Sequence, residues 1–152
     1  MKQKDKELLV IDLLGRLPYE VIVETYWDFE NKNTKTFPKC KLTYKMLEYY
    51  LEEQNWNNNT HFLPFLRPMS SMTEEEKEEL KEICSIYIPT DSKNIGFEDY
   101  GILVFTHHLT DNSYSFKLNL NVIDWLNAHH FDYRGLIEKG LAFEAPEGIY
   151  NA

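Results

Sequence analysis

At 152 residues, with 43% hydrophobic, 14% aromatic and 27% charged side chains, the chain has the make-up of one ordinary globular domain, expected over residues 1–152. Ten Tyr and nine Phe argue against disorder, and a chain this long can bury an adequate core without disulfide or metal staples. The formal charge of −9 argues against free nucleic acid as a partner, because gripping phosphates needs clustered Lys and Arg.

Net charge first of all keeps a protein soluble. An acidic surface can also meet a basic protein surface or mimic the charge of DNA. Cys40 and Cys84 form neither a metal-binding spacing nor a disulfide framework, so two reduced thiols are expected. The start, MKQKDKELLVIDLL, is too charged for a signal peptide, and no stretch approaches the roughly 20 apolar residues of a membrane span. A cytoplasmic protein off the membrane is expected.

A first helix is expected from Lys4 to Leu14, with Leu9, Leu13 and Leu14 at helical spacing, Gly15 as a left-handed cap and Pro18 blocking continuation. Tyr19 to Phe29 reads as the best strand, with Tyr19, Val21, Val23, Thr25 and Trp27 on one face. A short strand follows from Thr36 to Leu42, confined to an edge or bulge by Pro38. Thr43 to Gln54 reads as a helix capped by Thr43 and buried through Leu47, Tyr50 and Leu51. Asn55 to Thr60 is a loop, and His61 to Leu66 a short strand broken at Pro64.

Thr73 and Glu76 make a capping box, in which hydroxyl and carboxylate each satisfy a backbone N–H at a helix start. Glu74, Glu75 and Glu76 sit where the helix dipole favours negative charge, and Leu80, Ile83 and Cys84 supply the buried stripe. A short strand at Ile86 to Ile88 and a loop over Pro89 to Gly96 follow. Then comes a hairpin of Tyr100 to Leu109 and Ser113 to Leu120 around Thr110, Asp111 and Asn112.

The stretch Trp125 to Tyr150 carries the clearest local signals. Asn121 is expected to cap a helix running to His130, and Asp132 a second, short one. Phe131 and Leu136 are placed as a hydrophobic staple, Gly140 as a helix-ending glycine with Leu141 touching Leu136, and Ala145 to Gly148 as a type I turn.

The histidines come as His107–His108 and His129–His130, plus His61. Neighbours on a strand point to opposite faces, and neighbours on a helix diverge by about 100°. Neither pair therefore makes a metal site alone, and half-buried or surface positions are the ordinary expectation; a site from His108, His129 and a carboxylate would have to be assembled in three dimensions. Asp132 beside His130 is explained by helix capping before acid–base chemistry. Ser70 and Ser71 lack a glycine-flanked nucleophile elbow, no phosphate-binding glycine loop is present, and Cys84 reads as a core residue. As a DNA-binding helix-turn-helix the C-terminal corner is too poor in cations, with only Arg134 and Lys139 beside Glu138, Glu144 and Glu147. Arg67 and Arg134 are expected in ion pairs with acidic neighbours.

Two runs, LRPMSSMTEEEK (Leu66 to Lys77) and DWLNAHHFDYRGLIEKGLAFEAPEGIY (Asp124 to Tyr150), with the helix-then-LPY segment at Leu14 to Tyr19, carry a resemblance. Through them the chain is similar to a group of small uncharacterised proteins of Bacteroides and related gut bacteria, often encoded in phage or prophage-like regions. The resemblance implies a bacterial cytoplasm and a phage-related role, and brings no activity or catalytic residue.

The expected fold is α+β: a small antiparallel sheet of three to five strands packed by several helices, ending in a helix–corner–short helix. The expected function is a non-enzymatic binding or accessory protein that engages another protein through an acidic surface, with no cofactor and no catalytic residue. Trp125, His129, His130, Tyr133, Arg134 and Arg67 are the candidate binding residues, since the others in the C-terminal stretch already have structural roles. The alternatives are a small enzyme or metal-binding protein using His108 and His129, and an acidic DNA mimic with carboxylates in a spaced stripe.

Overall fold

The computed structural model describes residues 1–26, 38–52, 61–85, 93–98, 101–107, 114–116 and 120–150, with backbone alone at 26, 84–85, 93–98, 101–107 and 114–116. It is an α+β fold in which most strand pairs are antiparallel. The chain gathers into two compact units, one of Met1–Arg67 with Leu136–Ala152 and one of Pro68–Gly135.

In the first unit α1 (Gln3–Arg16) and α2 (Tyr44–Leu51) accompany a four-stranded sheet. Its strands are β1 (Ile22–Tyr26), β2 (Cys40–Lys41), β3 (His61–Leu66) and β7 (Phe143–Glu144), in the order β2-β1-β3-β7. β1 runs antiparallel to β2 and β3; β7 joins β3 in parallel, Phe65 opposite Phe143. Leu9, Leu13, Val21, Val23, Leu47, Leu66, Leu136 and Leu141 form the centre of its core.

α1 does not stop at Leu14. It runs through Gly15 to Arg16 and passes into a 3-10 turn, Leu17–Tyr19, with Pro18 in its opening positions and the reversal made by Glu20 at φ 56°. Arg16 supplies the reason. Its Nε donates to Asp12 Oδ2 at 2.7 Å and its Nη2 to Asp12 Oδ1 at 3.2 Å, a two-pronged bond across one helical turn with both side chains fully buried. Extending the helix by two residues, to Arg16, completes that bond.

β1 starts at Ile22, because Tyr19 belongs to the 3-10 turn. Val21, Val23 and Thr25 do share the buried face, whereas Trp27 to Phe29 lie outside the described residues. β2 is shorter than expected and begins two residues after Pro38; residues 36 and 37 are outside the description. Thr43 caps α2 by accepting from the Met46 N–H at 3.4 Å. Leu47 and Tyr50 are buried, but Leu51 is 40% exposed.

Pro64 does not break β3. It lies opposite Val23, and pairing with β7 begins only at Phe65, so no rung to β7 forms at the residue without an N–H. His61, expected at or near the surface, is buried, with Nδ1 3.1 Å from the Tyr50 hydroxyl.

The second unit contains α3 (Glu74–Ser85), α4 (Leu120–Ala128) and an antiparallel sheet of β4 (Lys93–Glu98), β5 (Gly101–His107) and β6 (Tyr114–Phe116), in that order. Residues 93–96, expected as loop, are strand, paired with β5 from Lys93↔Thr106 to Glu98↔Gly101. The β5–β6 hairpin forms, and its second arm gives way to α4 at Leu120. Ile86 to Ile88, the hairpin turn, His108 and the Cys84 side chain lie outside the description.

The capping box is complete: the Thr73 N–H donates to Glu76 Oε2 at 2.8 Å and the Glu76 N–H to Thr73 Oγ1 at 3.2 Å. Asn121 lies inside α4 instead of capping it. No second helix follows Asp132. Gly135 takes φ +66° in the middle of that segment, which breaks the run into turns. The residues of the expected staple are divided, Phe131 in the second unit's core and Leu136 in the first's. The terminal signature holds nonetheless. Gly140 has φ +67°, Leu141 N–H donates to Leu136 O at 2.8 Å and Gly140 N–H to Ile137 O at 3.0 Å, the paired bonds of a Schellman motif.

Removing one half of a buried charge pair takes from the other its two-pronged bond. Asp12→Ala is expected to destabilise the protein by about 3–5 kcal/mol in urea unfolding, and the paired Asp12→Leu/Arg16→Met replacement by much less. Burial also pushes the Tyr50 and Tyr150 phenols up to about 12 from an ordinary 10.0; at Tyr150 the Ile22 N–H and the Arg16 charge oppose the shift. A phenol whose pKa is raised by folding favours the fold while neutral. That stability is complete below pH 10 and is lost as pH climbs towards about 12. Thermal unfolding followed across this window should show the decline, and it should shrink in Tyr50→Phe.

Candidate functional site

The C-terminal corner of the second unit brings most of the candidate residues together. Trp125 projects from α4 into a core with Met72, Leu80, Val122, Leu126 and Phe131. The His129 ring stacks on its indole at 4.0 Å between centroids and 26° between planes, and the Phe131 ring at 5.7 Å and 14°. One helical turn separates Trp125 from His129, so the stacking follows from i, i+4 geometry. His129 Nδ1 lies 2.9 Å from the Trp125 carbonyl oxygen. A carbonyl only accepts, so Nδ1 carries the hydrogen and a neutral ring keeps its lone pair on Nε2. The Trp125 Nε1–H is buried and has no hydrogen-bond partner among the described residues.

His130 is a backbone device. It stands at φ +60°, with its N–H donating to Asn127 O at 3.1 Å and the Phe131 N–H to Leu126 O at 3.0 Å. This is the same pair of hydrogen bonds that Gly140 makes ten residues later, here built on a buried non-glycine residue. Leu126 and Phe131, flanking the motif, both lie in the core.

The Tyr133 hydroxyl donates to Asn127 Oδ1 at 3.1 Å, and the Arg134 guanidinium lies over the Tyr133 ring at 4.9 Å. Asn127 is buried, a polar residue at an inward helix position that sequence reasoning passed over. Its signal was available in the inward stripe of Val122, Trp125 and Leu126 that it adjoins. Arg67 belongs to the first unit and the other five candidates to the second. The structure thus gives the five corner residues contacts that hold a chain reversal: a stack, a left-handed turn, a buried hydrogen bond and a cation over a ring. Among the described residues no three potential metal ligands gather, and His108 is outside them.

Among the described residues, an exposed run of glutamates lies on α3. Glu74, Glu75, Glu78, Glu79 and Glu82 line one open hollow along the helix. Their spacing of four and one residues places them in two adjacent rows on one face. Lys77 bonds Glu74 at 2.5 Å and Lys81 bonds Glu78, both near the surface. The Lys77 bond and charge hold the Glu74 carboxyl below its ordinary value. Glu75 and Glu79 have no ion-pair partner among the described residues, so two like charges stand one turn apart, facing solvent. No family model, curated protein or solved structure matches the chain.

The left-handed turn at His130 makes a sharp test. Glycine tolerates positive φ and alanine does not, so His130→Gly should be more stable than His130→Ala by about 1 kcal/mol in denaturant unfolding. Equal stability would show that the imidazole packing, and not the backbone, governs the position.

Proposed function

We propose that the protein is a non-enzymatic binding or accessory protein, phage-related and working in a bacterial cytoplasm, that engages another protein through an acidic surface. The observation that carries this reading is the α3 face, where five glutamates share one side and Glu75 and Glu79 are not neutralised by a lysine among the described residues. The helix dipole favours Glu75 in the first turn, but Glu79 lies beyond that turn and stands one turn from a like charge, which costs the helix stability. The phage connection rests on the resemblance carried by Leu66 to Lys77 and Asp124 to Tyr150. No helix among the described residues is long and apolar enough to cross a membrane, which agrees with a partner off the bilayer.

A DNA mimic is the second reading, favoured by the two-row spacing of the same carboxylates. Its length weighs against it. Glu74 to Glu82 is nine residues, eight rises or about 12 Å of helix, a short track beside a duplex.

Affinity capture from the bacterial host separates the two. The protein-binding reading expects one discrete partner retained at about 0.15 M salt and released near 1 M, where surface charges are screened within about 3 Å. The Glu75→Gln/Glu79→Gln variant should fold as well as the parent and lose that partner. Retention of duplex DNA alone would overturn both readings, and a captured protein displaced by added duplex DNA would favour the mimic.

A further inference from the structure

β3 has an outer edge at Phe65 and Leu66, and the segment following residue 142 lies along it. β7 covers the edge in parallel, and the Ala145 N–H then donates to the Leu66 carbonyl at 2.7 Å. The chain turns over Pro146–Ile149, with Ile149 N–H to Pro146 O at 3.2 Å and Gly148 at φ +80°. Pro146, Glu147 and Gly148 are exposed, and beyond its chain neighbours no atom of the described residues lies within 4 Å of where a Gly148 Cβ would stand. Tyr150 then returns to the sheet. Its hydroxyl donates to the Phe65 carbonyl at 2.5 Å and accepts from the Ile22 N–H at 3.2 Å.

The register explains what that hydroxyl replaces. β1 and β3 pair from Tyr26↔His61 to Val23↔Pro64, so the next rung would set Ile22 against Phe65. In place of that rung stands the phenol oxygen, a bridge between the two strands at the end of their ladder. The sheet end is therefore satisfied through a side chain that comes from the far end of the segment covering β3.

We propose that residues 143–150 form a strap that opens and closes as one unit, buckled by the Tyr150 hydroxyl, and that its closed state keeps the outer edge of β3 from pairing with other chains. Exposed main-chain edges are templates for added strands, and a short covering strand is one of the ways proteins block them. With the hydroxyl gone, the Ile22 donor and the Phe65 acceptor lose their shared partner and the far end of the strap loses its fastening.

Amide hydrogen exchange on Tyr150→Phe tests this, since the ring still fills its place and only the oxygen is lost. The amides of Ile22 and Ala145 should both exchange about tenfold faster, while those of Leu9 and Leu13 in α1 keep their parent rates. Ala145→Pro removes the other fastening and should speed Ile22 in the same way. The proposal is overturned if Ile22 keeps its rate, if Ile22 changes and Ala145 does not, or if α1 accelerates equally, which would make the hydroxyl a contact of the whole unit. Should Tyr150→Phe fail to fold, Ala145→Pro decides alone: a faster Ile22 with α1 unchanged supports the strap, and an unchanged Ile22 removes it.

Discussion

Taking a charge pair wholly out of water obliges its surroundings to complete its bonding, and the first unit is arranged around that demand. Asp12 and Arg16 are both fully buried on α1 among Leu9 and Leu13. The two-pronged contact offsets part of the cost of taking both charges out of water. The helix must therefore reach Arg16, the turn after it must be tight, and Pro18 and the left-handed Glu20 make it so. β1 then starts where that turn ends. The Arg16 charge is also felt at Tyr150, whose hydroxyl joins β1 to β3. Helix end and strand start thus follow from one pair.

The second unit answers a different constraint, that of ending helices without leaving carbonyls orphaned. α3 solves its start with Thr73 and Glu76, and α4 solves its end with a residue in left-handed conformation. Using His130 where glycine is commoner costs backbone strain, and the site recovers packing: Leu126, Phe131 and the stacked Trp125 close around the reversal. Residues that stand out as candidate binding groups by their chemistry also make the contacts of this reversal. The acidic face of α3, plain in the sequence as a charge run, is the feature left over after the folding roles are assigned.

Local signals were legible because they involve neighbours. The Thr73–Glu76 box, the Thr43 cap and the Gly140 motif each depend on residues within five positions, and each is present with the expected bonds. The alternation of Val21, Val23 and Thr25 likewise gave the buried face of β1. What escaped depends on distant partners or on competing local rules. Gly15 reads as a helix end until Arg16 is seen to need Asp12, and the segment after Asp132 reads as helix until Gly135 is seen at positive φ. His61 has no local mark of burial, since Tyr50 reaches it from another element. In the corner, Trp125, His129 and Tyr133 were picked out for having no structural role, because stacking and the buried Asn127 bond are invisible before folding.

The stack of Trp125 on His129 has an optical side. An indole 4.0 Å from an imidazole is a fluorophore beside a quencher, joined by one turn of the same helix. With Trp27 and Trp56 replaced, emission from this single indole would follow the stack and the integrity of α4. The second unit thus carries its own reporter, readable without a label.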